Sequence, residues 1–222
     1  MGMHPVNAGR HPPRTMPTML NMALAVAALA LALGLRPWRA LTAAGPPWPW
    51  LAWWAGLPLL WGADRYAAMP IVQPLSGAAL LVLLAGWPLA IPALAGTALI
   101  TMAMGGLDAA EALQRYVWLG VVPASLAVLG GAAVRRWLPQ QLFIYILGRG
   151  FFVTMAAAAS AGALSLALTG APAGTDPADL LMARWLAATG EAFLTGMLVA
   201  IFVAFRPHWL ATYSDRLYLK PL

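Results

Sequence analysis

The amino-acid sequence predicts an all-α, polytopic membrane helix bundle of six to seven transmembrane helices. Of the 222 residues, 62% are hydrophobic and 9% are charged, whereas soluble domains contain about 45–50% apolar and about 25% charged residues. The apolar residues occur in runs close to the roughly 20 residues of helix that cross the hydrocarbon core of a bilayer. Because so few charges cannot cover the surface of a soluble domain, we expect the lipid bilayer to surround this chain.

Six apolar runs mark the predicted helices. The third run, 75–104, is too long for one untilted span and contains Trp87, Pro88 and Pro92 near its middle. Since proline breaks helices, two short helices in a tight hairpin explain this run better than one bent helix, and the total is then seven rather than six. The six runs are 18–35, 48–62, 75–104, 116–134, 142–168 and 185–205.

The chain divides into three predicted regions. A polar, proline-rich leader covers 1–17, the transmembrane bundle covers 18–206, and a tail covers 207–222. The distribution of arginine and lysine does not decide between six and seven helices, but it places the tail in the cytoplasm in either case. Loops are expected over 64–75, from Asp108 to Arg115, and over 170–184.

The second run is unusually rich in tryptophan. Such a density is typical of an aromatic belt, in which indoles lie where the membrane meets water. A tryptophan cage around a ligand is the alternative. The residues concerned are Trp48, Trp50, Trp53, Trp54 and Trp61.

Several classes of function are excluded or disfavoured by residues that the sequence lacks. It contains no cysteine, which excludes thiolate metal sites and cysteine nucleophiles. Its three histidines stand at 4, 11 and 208, outside every apolar run, so the usual base for hydrolysis inside a membrane is missing, and we expect no enzyme. There is no Gly-Lys-Ser/Thr motif for ATP, and no basic face with interleaved aromatics for nucleic acid.

Two ionisable residues lie well inside apolar runs, Glu191 and Arg149. A charged group in hydrocarbon costs about 2.5–3.5 kcal/mol or more, so such residues face polar partners or water. On the functional interpretation, Glu191 binds or relays a cation beside a substrate path, with Thr195 one turn further along the same helix face. On the structural interpretation, Glu191 pairs with Arg149 and fixes the packing of two helices. The residues alone leave both interpretations open.

The N-terminus offers a candidate metal ligand, His4. If Met1 is removed, the new amine, two amide nitrogens and the imidazole of His4 can close a square-planar ring around Cu(II) or Ni(II). The alternative is an irregular leader in which this histidine binds nothing.

Several motifs recur in a characteristic order over about residues 64–216. The last apolar run contains Glu191-Ala-Phe-Leu-Thr195-Gly-Met-Leu, and an Arg206-Pro207 exit follows it. This order resembles a bacterial branch of the CbiM-like family of membrane subunits. The other motifs are Gly77-Ala-Ala-Leu-Leu-x-Leu-Leu-Ala-Gly-Trp-Pro88, Gly120-x-x-Pro123, Arg135-Arg136-x-Leu-Pro139 and Phe143-Ile-Tyr145-Ile.

The resemblance implies the substrate-capturing membrane subunit of an energy-coupling-factor transporter for cobalt or nickel ions, in the bacterial inner (plasma) membrane. It implies an N-terminus outside the cell, and a coupling membrane subunit and ATPase subunits as separate partner chains. In that family the N-terminal amine and a nearby histidine take part in the metal site, which implicates His4. Gln73 stands near the position where typical members carry a histidine.

Two functional hypotheses follow. In the first, the chain is a transport component whose candidate substrate- or ion-binding residues are Glu191, Thr195, Gln73 and Arg149. His4 is then an external metal ligand, and Co(II) or Ni(II) is substrate rather than a covalently bound cofactor. In the second, the chain is a non-transporting membrane assembly or regulatory partner with a structural Arg149–Glu191 pair.

Overall fold

The structure is a computed structural model that describes residues 15–40, 48–66, 73–171, 174–214 and 218. Every regular element within these ranges is a helix, so the predicted all-α fold is confirmed. Four of the helices, α5 to α8, are long and apolar enough to cross a membrane. The helices are α1 (Thr15–Gly34), α2 (Trp48–Trp61), α3 (Ala63–Tyr66), α4 (Ala78–Ala85), α5 (Trp87–Gly105), α6 (Ala109–Trp137), α7 (Leu142–Thr169) and α8 (Pro177–Phe205).

Two of the long helices begin earlier than hydropathy predicts. The predicted loop from Asp108 to Arg115 is wrong, because α6 begins at Ala109, where the Asp108 side chain accepts a hydrogen bond from the Glu111 amide at 2.7 Å. The second half of the predicted loop 170–184 is likewise helical, since α8 begins at Pro177 and Asp176 caps it. Capping side chains satisfy the free N–H groups of a first turn, and this allows a helix to extend beyond its apolar run.

The break predicted within 75–104 is present at Gly86, whose φ of 79° separates α4 from α5. The two parts are unequal, with eight residues in α4 and 19 in α5. The expectation that Pro92 also contributes to the break is wrong, because α5 continues through Pro92. Pro92 is the sixth residue of α5, so its missing N–H removes one backbone hydrogen bond without ending the helix.

Helix α4 lies in the interior of the bundle, and all eight of its residues are buried. The irregular stretch 73–77 leads into it, so this helix begins inside the protein instead of at a surface. Within a membrane, irregular backbone is tolerated only where it is buried in protein or lines a cavity. Helix α4 and the stretch before it are therefore the part of the fold that positions the candidate site.

The described part of the predicted tail folds back onto the bundle. The Ala211 amide donates to the Leu84 carbonyl at 3.3 Å, at the end of α4. The rings of Tyr213 and Tyr218 each lie 4.9 Å from the ring of Tyr145, which belongs to α7. The tail thus closes the end of the bundle opposite α3.

Candidate functional site: a buried carboxylate beside two cavities

Glu191 is the central residue of the 29-residue helix α8, and its side chain is bound by backbone. One carboxylate oxygen accepts a hydrogen bond from the Ser76 amide at 2.9 Å, and the other accepts from the Gly77 amide at 3.0 Å. Glu191 is only 3% exposed. The expectation that this carboxylate faces something other than hydrocarbon is confirmed, and its partners are two amides.

The backbone around Gly77 explains why two amides point at one carboxylate. Gly77 precedes α4 and has φ of 65°, in the left-handed region. This turn aims successive N–H groups, which a helix N-terminus leaves unpaired, toward the same point. The Ser76 hydroxyl accepts from the next amide, that of Ala78, at 3.1 Å. The arrangement is an anion-binding concavity, and Glu191 fills it.

Tryptophans of α2 donate hydrogen bonds to the backbone carbonyls of the same two residues, Ser76 and Gly77. The Trp61 indole donates to the Ser76 carbonyl at 2.7 Å, and the Trp53 indole donates to the Gly77 carbonyl at 2.9 Å. A third indole, that of Trp54, donates to the Ala93 carbonyl at 2.7 Å. The prediction of an aromatic belt is therefore wrong for these three residues, because their N–H groups bind protein carbonyls instead of interfacial water.

The predicted Arg149–Glu191 ion pair is not formed. Arg149 instead donates to the Thr212 carbonyl at 3.3 Å and lies over the Tyr145 ring at 5.4 Å from its centroid, beside the folded-back tail. The physical reason is that the two backbone amides already satisfy Glu191, while the tail offers Arg149 a carbonyl and an aromatic face. Arg149 thus lines neither cavity beside Glu191.

Thr195 lies one turn beyond Glu191 and is fully buried. Its hydroxyl has no hydrogen-bond partner among the residues that the structure describes. The structure therefore brings Thr195 to the interior, but it gives its hydroxyl no polar contact with Glu191.

Two cavities adjoin this site and share part of their lining. The inner cavity, of about 20 Å³, lies beside Glu191 and Ser76, which is room for roughly one water molecule. The outer cavity has a volume of about 240 Å³ and a wall that mixes polar and apolar side chains. Gln73 lines both cavities, so the structure brings this predicted site residue close to Glu191. The residues common to the two cavities are Gln73, Pro74, Trp118, Leu119, Gly162 and Arg184.

Three charged residues that the sequence predicts in loops line the outer cavity, namely Asp64, Glu111 and Arg115. Arg115 binds both oxygens of Asp64, at 2.8 and 2.7 Å, and also donates to the Trp61 carbonyl. Arg65 binds both oxygens of Glu111, each at 2.9 Å. The sequence gives little indication that these residues line a cavity, because charged residues at the ends of apolar runs usually contact lipid headgroups.

Arg184 is the further residue that sequence reasoning missed. It lines both cavities and donates to the Gly162 carbonyl of α7. It precedes Glu191 by seven residues, a spacing that places both residues on one face of α8. This spacing is the signal by which Arg184 could have been found.

The Asp64–Arg115 pair predicts a defined pH dependence. The hydrogen bond from Arg115 lowers the pKa of Asp64 below its ordinary value of 3.8. A carboxyl group whose pKa is lower in the folded state stabilises the fold above the unfolded pKa, and this contribution is lost as the pH falls through the folded pKa. Melting temperatures measured from pH ~6 to pH ~2.5 should therefore fall more steeply for the wild type than for Asp64→Asn, by an amount equivalent to about 1 kcal/mol.

The matched control for this experiment is Asp179→Asn. Asp179 is exposed in the first turn of α8 and forms no ion pair with a described residue. We expect this substitution to leave the acid limb of the curve unchanged. If the melting temperatures of wild type and Asp64→Asn fall equally between pH ~6 and pH ~2.5, the Asp64–Arg115 pair does not stabilise the fold as proposed.

The described residues contain no group of three or more histidine, aspartate or glutamate side chains that could hold a metal ion. His4 lies outside the described residues, so its role as a metal ligand stays a prediction. Within the described part of the chain, Glu191 is the carboxylate that lines the inner cavity.

Comparison of the chain with protein-family models, with curated proteins and with solved structures finds no match. The function is therefore inferred from the geometry of Glu191 and the two cavities. This geometry combines a backbone-bound carboxylate in the middle of α8 with two cavities that share Gln73 and Arg184 in their lining.

Proposed function

We propose that this chain is an integral membrane component of a transport system and captures a small polar solute in the outer cavity. The observation that carries the proposal is that Gln73 and Arg184 line both cavities. They stand between the charged groups of the outer cavity, Asp64 and Glu111, and Glu191 beside the inner cavity. Polar groups converging in a concave space between helices are typical of a ligand site.

We extend the proposal to the topology of the membrane protein. Besides the four long helices, α1, α2 and α4 lie within the bilayer, which gives seven membrane helices, one of them short and internal. The tail is cytoplasmic, so the opposite end, with Asp64 and Glu111, faces the outside of a bacterial plasma membrane. The outer cavity then opens toward external solute.

The resemblance supplies the partners for this proposal. An energy-coupling-factor transporter divides the work among chains, and a separate coupling membrane subunit and ATPase subunits supply the energy. The sequence is consistent with that division, since it carries no Gly-Lys-Ser/Thr motif for ATP.

Co(II) and Ni(II) are the substrates that the resemblance implies, and their binding can be tested directly. If either is the cargo, the purified full-length chain should bind it in equilibrium dialysis, and Glu191→Gln should bind it at least ~10-fold more weakly. Asp179→Asn, which removes an exposed carboxylate that lines neither cavity, is the control and should bind the ion like wild type. Equal binding by wild type and Glu191→Gln would contradict a metal cargo held by this residue.

The opening of the outer cavity can be tested by thiol labelling, because the natural sequence has no cysteine. Gln114 lines this cavity and is exposed. In intact cells, Gln114→Cys should react with a membrane-impermeant maleimide added from outside. Arg136→Cys, at the opposite end of α6, should react only after the membrane is opened, and the apolar surface position Leu129→Cys should react poorly in both cases.

Two labelling results would overturn the proposal. If Gln114→Cys reacts only from the cytoplasmic side, capture from outside is wrong. If it reacts from neither side, the cavity is not open to water, and it cannot receive a solute.

A membrane assembly or regulatory role without transport is the second candidate. The observation that favours it is that both oxygens of Glu191 are engaged by backbone amides, an arrangement that holds α8 to α4 without any solute. This candidate predicts that no small solute changes the labelling rate of Gln114→Cys. The transport proposal predicts that the solute slows it.

A further inference from the structure

Arg184 differs from the other cations around the outer cavity because it has no carboxylate partner in the described part of the chain. One terminal nitrogen donates to the Gly162 carbonyl, which is neutral. Its Nε atom is buried and has no hydrogen-bond partner there. An arginine with unused donors at a cavity wall can still bind an acceptor from a ligand.

The charges around Arg184 do not cancel its own. Asp64 is bound through both oxygens by Arg115, and Glu111 is bound in the same way by Arg65. Each of these two acidic residues is therefore matched by a positive charge, Arg115 in the cavity wall and Arg65 outside the lining.

Glu191 does not neutralise Arg184 directly either. It lies two turns further along α8, outside ion-pair distance, and its oxygens accept from Ser76 and Gly77. The neutral polar residues that line the outer cavity with Arg184 carry donors, namely the side-chain amides of Gln73 and Gln114 and the hydroxyl of Ser165. The wall thus presents one uncompensated cation with neutral donors around it.

We propose that the outer cavity binds a small anion that carries a carboxylate or phosphate group, and that Arg184 is the residue that recognises it. This inference rests on the proposed function and names the class of solute. The planar guanidinium donates in a fork that matches the two oxygens of such a group. The cavity of about 240 Å³ has room for a small solute of this kind. The phosphate of a lipid headgroup offers the same chemistry, and the experiment below separates the two sources.

The test measures how anions protect Gln114→Cys from maleimide, in the full-length chain purified in a sugar-headgroup detergent without phosphate. Acetate and inorganic phosphate are the free anions, short-chain phosphatidylglycerol is the lipid, and sodium chloride at equal ionic strength is the control. We expect acetate or phosphate to slow labelling saturably. When Arg184→Gln is added to Gln114→Cys, the anion concentration that halves the labelling rate should rise at least ~10-fold.

Two further variants keep the result interpretable. Arg184→Lys retains the charge without the fork and should give intermediate protection. Arg136→Gln removes an exposed cation at the opposite end of α6 and should leave protection unchanged. The labelling rate without anion reports whether each variant keeps its fold.

The inference is overturned if neither free anion protects, or if Arg184→Gln is protected as well as its parent. If phosphatidylglycerol protects and neither free anion does, the site binds a lipid headgroup, and the proposal that it binds a small free anion is overturned. Failure of the inference is distinct from failure of the proposed function. Labelling from outside without anion protection overturns the anion and leaves capture of another solute. Protection without anion uptake into energised membrane vesicles from the native cells, which contain the partner subunits, overturns transport and leaves the anion site.

Discussion

Replacing Glu191 with alanine is expected to lower the free energy of unfolding by about 2–6 kcal/mol, since two buried N–H groups each lose their acceptor at about 1–3 kcal/mol. The amides are those of Ser76 and Gly77, which are inside the bundle. The measurement is thermal unfolding of the detergent-solubilised chain, followed by tryptophan fluorescence. A helix begins at these amides, so we also expect the transition to broaden as α4 loosens.

Two companion variants show whether the hydrogen bonds are responsible. Glu191→Gln keeps one acceptor oxygen and should lose about half as much stability as Glu191→Ala. Thr195→Val removes a buried hydroxyl that has no partner among the described residues, so it should change stability by less than about 0.5 kcal/mol. If Glu191→Ala melts at the temperature of Thr195→Val, Glu191 does not hold these amides.

Gly77→Ala is expected to have the second largest effect, a loss of about 2–5 kcal/mol, because a left-handed conformation and overpacking each add a cost. The φ of Gly77 is 65°. A methyl group there would overlap Leu57 Cδ2 and would lie 3.1 Å from the Trp53 ring. Because Leu57 is fully buried, either its side chain must leave its packed position or the backbone at Gly77, with the amide that binds Glu191, must shift. Chemical denaturation in mixed micelles measures the loss.

Gly106→Ala is the matched control for this substitution. Gly106 has φ of 62°, but no atom lies within 4 Å of the position that its Cβ would take. It should therefore show only the conformational cost, about 1–2 kcal/mol. Equal losses for the two variants would mean that the contacts of Gly77 with α2 add nothing to stability.

The need of Glu191 for a polar partner could be predicted from sequence, since hydrocarbon cannot solvate a carboxylate. The identity of the partner could not. Backbone amides carry no sequence signature, and Ser76 is separated from Glu191 by 115 positions. Arg149 was the obvious side-chain partner, but a conformation set by Gly77 supplied two donors in its place.

In the fold, likewise, composition predicts where apolar helices lie, whereas capping and packing determine where they begin and what they contact. The apolar run 142–168 predicts α7 to within one residue at its C-terminal end, because hydropathy and helix coincide there. The starts of α6 and α8 depend on Asp108 and Asp176, whose capping role extends each helix through polar residues. Tryptophan content indicated an interface, but which carbonyl an indole meets depends on how α2 packs.

Hydrogen exchange at the Ser76 and Gly77 amides tests most directly whether the Glu191 carboxylate holds the start of α4. In wild type these two amides should exchange as slowly as those inside the long helices, and in Glu191→Ala they should exchange rapidly while the amides of α7 stay protected. Peptides covering 73–80 and 154–169, analysed by mass spectrometry, report both sites in one experiment. Fast exchange of the 73–80 amides in wild type, or unchanged protection in Glu191→Ala, would contradict the account.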